Sequence, residues 1–208
     1  MWMAHHSSPI LIFPQTSLHE PNKTRRDPKM ESRLKTRFAP GAWILVAIGL
    51  GLAPGGGTAS DLDPERMLNA HNRVRAVVEV GPLRWSEPLA KSATRWAIHL
   101  AQDNGCVMTH SGPGENLYWA SPLTWSDGRR ERQRIGEDDV VSNWAAERAS
   151  YDHRENACRQ GKVCGHYTQV VWRDTTEIGC ARSFCSDQGQ IWICHYRPFG
   201  NVIGRKPY

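Results

Sequence analysis

Chemistry in this 208-residue chain is concentrated between Cys106 and Cys194, which bound all six cysteines. Cysteine sulfurs either ligate zinc or join as disulfides, and spacing separates the two. Neither Cys-x-x-Cys nor His-Glu-x-x-His occurs, so the spacing of a zinc site is missing. An even number of cysteines in a modest chain reads as a disulfide framework made in an oxidising compartment. Ser111 beside His110 raises a second chemistry, because a hydroxyl becomes nucleophilic when a base holds its proton. Adjacency in sequence does not build that geometry, however, and no Gly-x-Ser-x-Gly turn is present. Ser111 with Gly112-Pro113-Gly114 reads better as a turn.

The elements that must position these groups follow from periodicity. Asp63-Pro64 starts a helix, with a capping side chain and a proline in the first turn. Met67, Ala70, Val74, Val77 and Val78 then recur at helical spacing until Gly81-Pro82. Leu89, Ala93, Trp96, Ala97, Leu100 and Ala101 imply a second helix, and both stripes read as core faces. A third helix is expected after Asp138-Asp139, carrying Val140, Val141, Trp144 and Glu147. Residues 105–139 between them read as a long functional loop. Downstream the period shifts, and Tyr167 to Trp172, Glu177 to Phe184 and Gln190 to Tyr196 read as strands. The last two form a hairpin across Ser186 to Gly189. If its turn centres between Asp187 and Gln188, Cys180 and Cys194 lie almost opposite each other, at a separation a disulfide bridges. Cys185 falls at the turn and must pair elsewhere, and geometry alone leaves its partner open.

A disulfide framework requires export. From Met30 the chain runs through Arg33, Lys35 and Arg37 into 12 apolar residues, Ala42 to Ala53, then Gly-Gly-Gly-Thr-Ala-Ser. That is a basic start, an apolar middle and a small-residue cleavage zone, too short for the about 20 residues of a membrane span. The expected organisation is an upstream extension or misassigned start at 1–29, a signal peptide at 30–59, one domain at 60–197 and a tail at 198–208. Residues 1–59 hold 7 Lys or Arg and 3 Asp or Glu, leaving 19 basic and 18 acidic groups. A nearly neutral domain gives no support to nucleic-acid binding, which needs a clustered basic face. The run Arg129-Arg130-Glu131-Arg132-Gln133-Arg134 is followed by Glu137, Asp138 and Asp139, and reads as a solvated, self-neutralised loop.

Three blocks resemble the cysteine-rich secretory, antigen 5 and pathogenesis-related class 1 superfamily: His110-Ser111-Gly112-Pro113-Gly114-Glu115-Asn116-Leu117, Gly165-His166-Tyr167-Thr168-Gln169-Val170-Val171-Trp172, and Ile193-Cys194-His195-Tyr196-Arg197-Pro198-Phe199-Gly200-Asn201. The resemblance covers roughly residues 61–208. It implies an α+β fold, a three-layer α-β-α sandwich with a mainly antiparallel central sheet, stapled by the disulfides Cys106–Cys185, Cys158–Cys164 and Cys180–Cys194. It also implies a central cleft lined by His110, Glu115, Glu147 and His166. Neutral imidazoles with carboxylates make a site for a divalent metal such as zinc; charged ones make an ion-pair network. No cofactor is implied as a requirement.

Tyr118, Trp119, Leu123 and Trp125 follow the glutamate block, and exposed aromatics indicate binding. Some relatives take sterols or fatty acids through such a stretch and adjoining grooves. The tail resembles, in Pro-x-Gly-Asn and Pro-Tyr, the terminal peptide that plant members can release. His195 stands where that pattern has asparagine, a departure just before the expected point of release. Pro198, Gly200, Gly204 and Pro207 discourage regular structure, so the tail is expected to be exposed and separable. The reading is a secreted, extracellular, monomeric plant-defence binding module. Its expected partners are a sterol or fatty acid and a cell-wall or membrane surface. The alternatives are a peptidase using the same cleft, and a precursor of the terminal peptide.

Overall fold

The computed structural model describes residues 62–208; the expected upstream extension and signal peptide lie outside them. Asp63 caps the first helix, α1 (Pro64–Ala76), its Oδ1 accepting from the amides of Glu65 and Arg66 at 3.0 and 3.1 Å. The short strand β1 (Arg84–Trp85) and helix α2 (Glu87–Gln102) follow. The stretch read as one long loop holds β2 (Glu115–Ala120) and a small hairpin, β3 (Leu123–Thr124) with β4 (Arg130–Glu131). Tyr118 and Trp119 are therefore strand residues. Helix α3 (Glu137–Ala146) starts slightly earlier than expected and hands over at Glu147 to a 3₁₀ turn, Glu147–Ser150. A small pair, β5 (Tyr151–Asp152) and β6 (Ala157–Cys158), leads to α4 (Gly165–Val170), then β7 (Glu177–Phe184) and β8 (Gln190–Arg197).

Helix α4 corrects the strand reading of Tyr167 to Trp172. The segment is rich in β-forming residues, but its ends are decided from outside. The Glu147 carboxylate accepts from the amides of His166 and Tyr167 at the helix N-terminus, satisfying donors a helix start leaves open. Cys164, just before the helix, is tied to Cys158.

The sheet order is β1-β7-β8-β2, with β1 parallel to β7 and the other pairs antiparallel. Side chains alternate across it. Ile191, Ile193 and Ala181 meet Ala93, Ala97 and Leu100 of α2. Trp192, Cys194, Tyr196 and Ile178 share the other core with Met67, Ala70, Val140, Trp144 and Tyr167 from α1, α3 and α4. The result is the expected three-layer sandwich. Gly179 sets its closest approach: a Cβ there would stand 2.1 Å from the Ala90 nitrogen and 2.6 Å from the Ser86 carbonyl.

All three expected disulfides form and no free cysteine remains. Cys180 and Cys194 are direct cross-strand partners. The α1 stripe is only partly core: Met67 and Ala70 are buried, but Val77 is 61% exposed. The buried residues of that turn are instead His71 and Arg75. Arg75 donates to the carbonyls of Gly81, Val170, Trp172 and Thr175 at 2.7 to 3.0 Å, joining α1 to the end of α4.

Candidate functional site: a His/Glu cleft at the end of β2

The cleft forms where β2 begins. Glu115, its first residue, is almost fully buried and pairs in register with His195 of β8. His110 arrives on the segment after α2, which is held by the Cys106–Cys185 bridge and by the Trp96 indole donating to the Thr109 carbonyl at 2.9 Å. His166 sits on α4. His110, Glu115 and His166 line one cavity of about 390 Å³, together with Asn116, Phe199 and Asn201. Glu147 stands behind His166 and does not line it.

Each glutamate holds an imidazole through Nδ1. His110 Nδ1 lies 2.8 Å from Glu115 Oε1, and His166 Nδ1 lies 2.7 Å from Glu147 Oε1. The Nε2 atoms of both histidines have no hydrogen-bond partner among the described residues. A carboxylate that takes the Nδ1 proton fixes the tautomer and leaves Nε2 as the lone-pair nitrogen. His166 also stacks on Trp144, ring centroids 6.2 Å apart.

Glu115 also accepts from the Ser111 amide at 3.0 Å, the Ser111 hydroxyl at 2.6 Å and His195 Nε2 at 2.9 Å. Burial pushes this carboxyl up, but the hydrogen bonds from His110, His195 and Ser111 outweigh it and bring it down to about 2. Two conclusions follow. Its four donors use the lone-pair directions of both oxygens, so Glu115 orients His110 rather than ligating anything. A carboxylate of that acidity is also a poor base at neutral pH, so Ser111 donates to it without being activated.

Asn116, next on β2, points to the opposite face of the sheet. Its amide donates to the His166 carbonyl at 3.1 Å and to the Tyr196 hydroxyl at 3.2 Å. That hydroxyl reaches His71 Nε2 at 2.8 Å, while His71 Nδ1 meets the Met67 carbonyl at 2.9 Å. The carbonyl can only accept, so Nδ1 carries the proton and Tyr196 donates to Nε2. This chain of polar groups fixes His166 from the core side.

His195 and Asn116 are site residues that sequence reasoning did not assign. His195 carried a signal, as the departure from the family pattern, but its contact with Glu115 depends on strand register. Trp119, Leu123 and Trp125 are 45%, 45% and 48% exposed, outside the cleft lining, whereas Tyr118 packs against the core. The arginine run is exposed but is not neutralised by the acidic residues that follow it: Arg129 pairs with Asp127, Arg130 with Asp187, and Arg132 lies over the Phe184 ring, while Glu137 and Asp138 pair with Arg66 and Arg73 of α1. The tail has no helix or strand and is mostly exposed, as expected, and it is seated against the body at a few points. Gly200 and Pro207 are buried, and Gly200 borders the cleft.

The family model described as the cysteine-rich secretory protein family matches residues 68–196. The chain is 41% identical over 170 residues to the pathogenesis-related protein PRMS of Zea mays, covering 80% of this chain and 93% of that protein. It is 44% identical over 141 residues to the pathogenesis-related protein 1C of Nicotiana tabacum, covering 68% and 78%. Among solved structures, BmVAL-1 matches with a TM-score of 0.51 at 26% identity over 74% of this chain and 85% of that one. The hookworm platelet inhibitor matches with 0.53 at 20% identity over 72% and 78%. The chain belongs to the cysteine-rich secretory protein family, on its branch of plant pathogenesis-related class 1 defence proteins.

Proposed function

We propose that this protein is a secreted, disulfide-stapled binding module whose ligand site is the cleft between His110 and His166. The observation that carries this is the pair of carboxylate-held imidazoles, each with a free Nε2, in a cavity of about 390 Å³, within the usual size of small-ligand pockets. The three disulfides suit the extracellular space. Among the described residues no three His, Cys, Asp or Glu side chains converge as a metal site, so the fit to a divalent ion is partial. His110 and His166 would hold it through Nε2, with Glu115 and Glu147 orienting them, and a bound ion would supply a positive centre for an anionic ligand. Two protein donors give a weak, exchangeable site, since resident zinc takes three or four.

Calorimetry with Zn²⁺ tests this. Binding is expected near pH 7.5, loss of at least about tenfold in affinity near pH 5.5, where protonated imidazole cannot ligate, and loss in His166→Ala. Equal affinity at both pH values, or in the variant, removes the ligand role.

A separate groove favours a second ligand, an acyl chain. Val74, Val77 and Val78 of the α1 end face Ala145, Arg148 and Tyr167 across about 180 Å³. That is small for a ring system but suits a chain, with the exposed Arg148 guanidinium placed for its carboxylate. A fluorescent fatty acid should bind and be weakened several-fold by Arg148→Ala or Val77→Asp. Unchanged binding in both variants removes the groove from this role.

A further inference from the structure

The C-terminal residues 198–208 run over the surface as an irregular strap, yet they are held along their length. The Thr175 hydroxyl donates to the Pro198 carbonyl at 2.8 Å, and the Gly200 amide donates to Gln169 Oε1 at 2.9 Å. Asn201 takes the Thr168 hydroxyl at 2.7 Å and gives its amide to the Gly165 carbonyl at 2.9 Å. Farther on, Asn156 donates to the Arg205 carbonyl at 3.1 Å, Arg205 pairs with Asp174 at 2.6 Å, and the Arg173 amide donates to the Pro207 carbonyl at 2.7 Å. The end is socketed. The Tyr208 ring stacks on His153 at 4.8 Å, lies edge-on to Tyr151 and Tyr167, shares a hydroxyl bond of 2.9 Å with Tyr167, and its main-chain oxygen accepts from His153 Nε2 at 2.7 Å.

The strap is read side chain by side chain. A Cβ on Gly200 would stand 2.7 Å from the Trp172 ring, so nothing larger fits. Asn201 bridges a hydroxyl and a carbonyl of the α4 turn, and Pro207 is buried. By contrast Phe199 is 51% and Ile203 87% exposed, and Lys206 faces solvent. Selectivity at four positions with indifference between them is the arrangement of a peptide-recognition site, in which a few anchors carry the affinity.

We infer that the surface from α4 to β5 is a binding site for a peptide of the form Gly-Asn followed by Pro-Tyr, filled here by the chain's own tail. Backbone cleavage after Arg197 then leaves the terminal peptide seated, and the emptied site accepts such a peptide from solution. The inference stands apart from the cleft reading, although Phe199, Gly200 and Asn201 also wall the cleft.

The test uses the mature chain carrying a site-specific protease recognition sequence inserted between Arg197 and Pro198. After cutting, the peptide is expected to co-elute with the body on size exclusion, and an isotopically labelled copy of residues 198–208 should exchange into the complex. Labelled peptides with Gly200→Ala or Tyr208→Ala should exchange at least about tenfold more weakly, whereas Ile203→Ala and Lys206→Ala compete like the parent. Separation of the peptide on cutting, loss of the native circular dichroism of the body, or equal exchange by all four variants overturns the inference. On the uncut, unmodified chain, the Gly200 amide should be protected from hydrogen exchange; exchange at the unfolded rate overturns it as well.

Discussion

At Glu115 one buried carboxylate accepts from two imidazoles, a hydroxyl and an amide, and its charge is therefore worth most when those donors are in place. Its folded acidity of about 2 lies below the ordinary 4.5, so the native state binds this proton less readily than the unfolded chain. The resulting stability is present above about pH 4.5 and is lost as pH falls through about 2. Glu115→Gln should cost on the order of 3 kcal/mol near pH 6 and far less near pH 2. Urea denaturation of both chains at the two pH values measures it. An equal deficit at both would assign the loss to packing rather than to charge. His195→Ala removes one donor and should move the Glu115 transition toward the ordinary carboxylate range.

Among the elements, the contact of α2 with β7 is the least forgiving. With the Ala90 nitrogen 2.1 Å from where a Cβ would sit on Gly179, one methyl group must push a helix backbone off the sheet. Overpacking of this kind typically costs 1 to 3 kcal/mol, and a backbone neighbour that cannot rotate away puts Gly179→Ala at about 3 kcal/mol or above. The thermal midpoint of the variant tests this, and a change of less than about 2 °C would mean that α2 slides freely. The small helix α4 depends on different forces. Its start relies on the Glu147 carboxylate and on the tie at Cys164, so the element and the placing of His166 are one structural event.

Across the whole molecule, the polar groups sealed between α1 and the sheet set the response to acid. His71 is fully buried, and desolvation lowers it from 6.5 to about 4, the Met67 carbonyl raising it and Arg75 lowering it further. The unfolded chain takes this proton first, so stability is full above about pH 6.5 and falls as pH drops through about 4, by on the order of 3 kcal/mol. The unfolding midpoint should therefore begin to decline well above the carboxylate range. His71→Gln should flatten the segment between about pH 6.5 and pH 4, and an unchanged slope there would assign the titration to another group. Arg75, with its four carbonyl acceptors, has no substitute of similar reach. Removing it strands buried carbonyls, each at about 1 to 3 kcal/mol.

The sequence by itself determined the parts whose signals are local or strictly periodic. The Asp63 cap, the α2 stripe and the β7–β8 hairpin follow from patterns within a few residues, and the hairpin register brought Cys180 opposite Cys194. The resemblance carried by the His110, His166 and Cys194 blocks supplied the other two bridges and three of the residues that line the cleft, His110, Glu115 and His166. Tertiary structure alone decided what depends on partners distant in the chain. Tyr167 to Val170 became helix because a carboxylate 19 residues upstream of His166 bonds its first amides, overriding a β-rich composition that reads as strand. Glu115 met His195 across 80 residues through the β2–β8 register. The tail, irregular as its prolines and glycines require, is seated rather than free. Its partners, Gln169, Arg173 and the Tyr151-His153-Tyr167 socket, converge only once α4 and β5 are packed, and no period along the chain records that convergence.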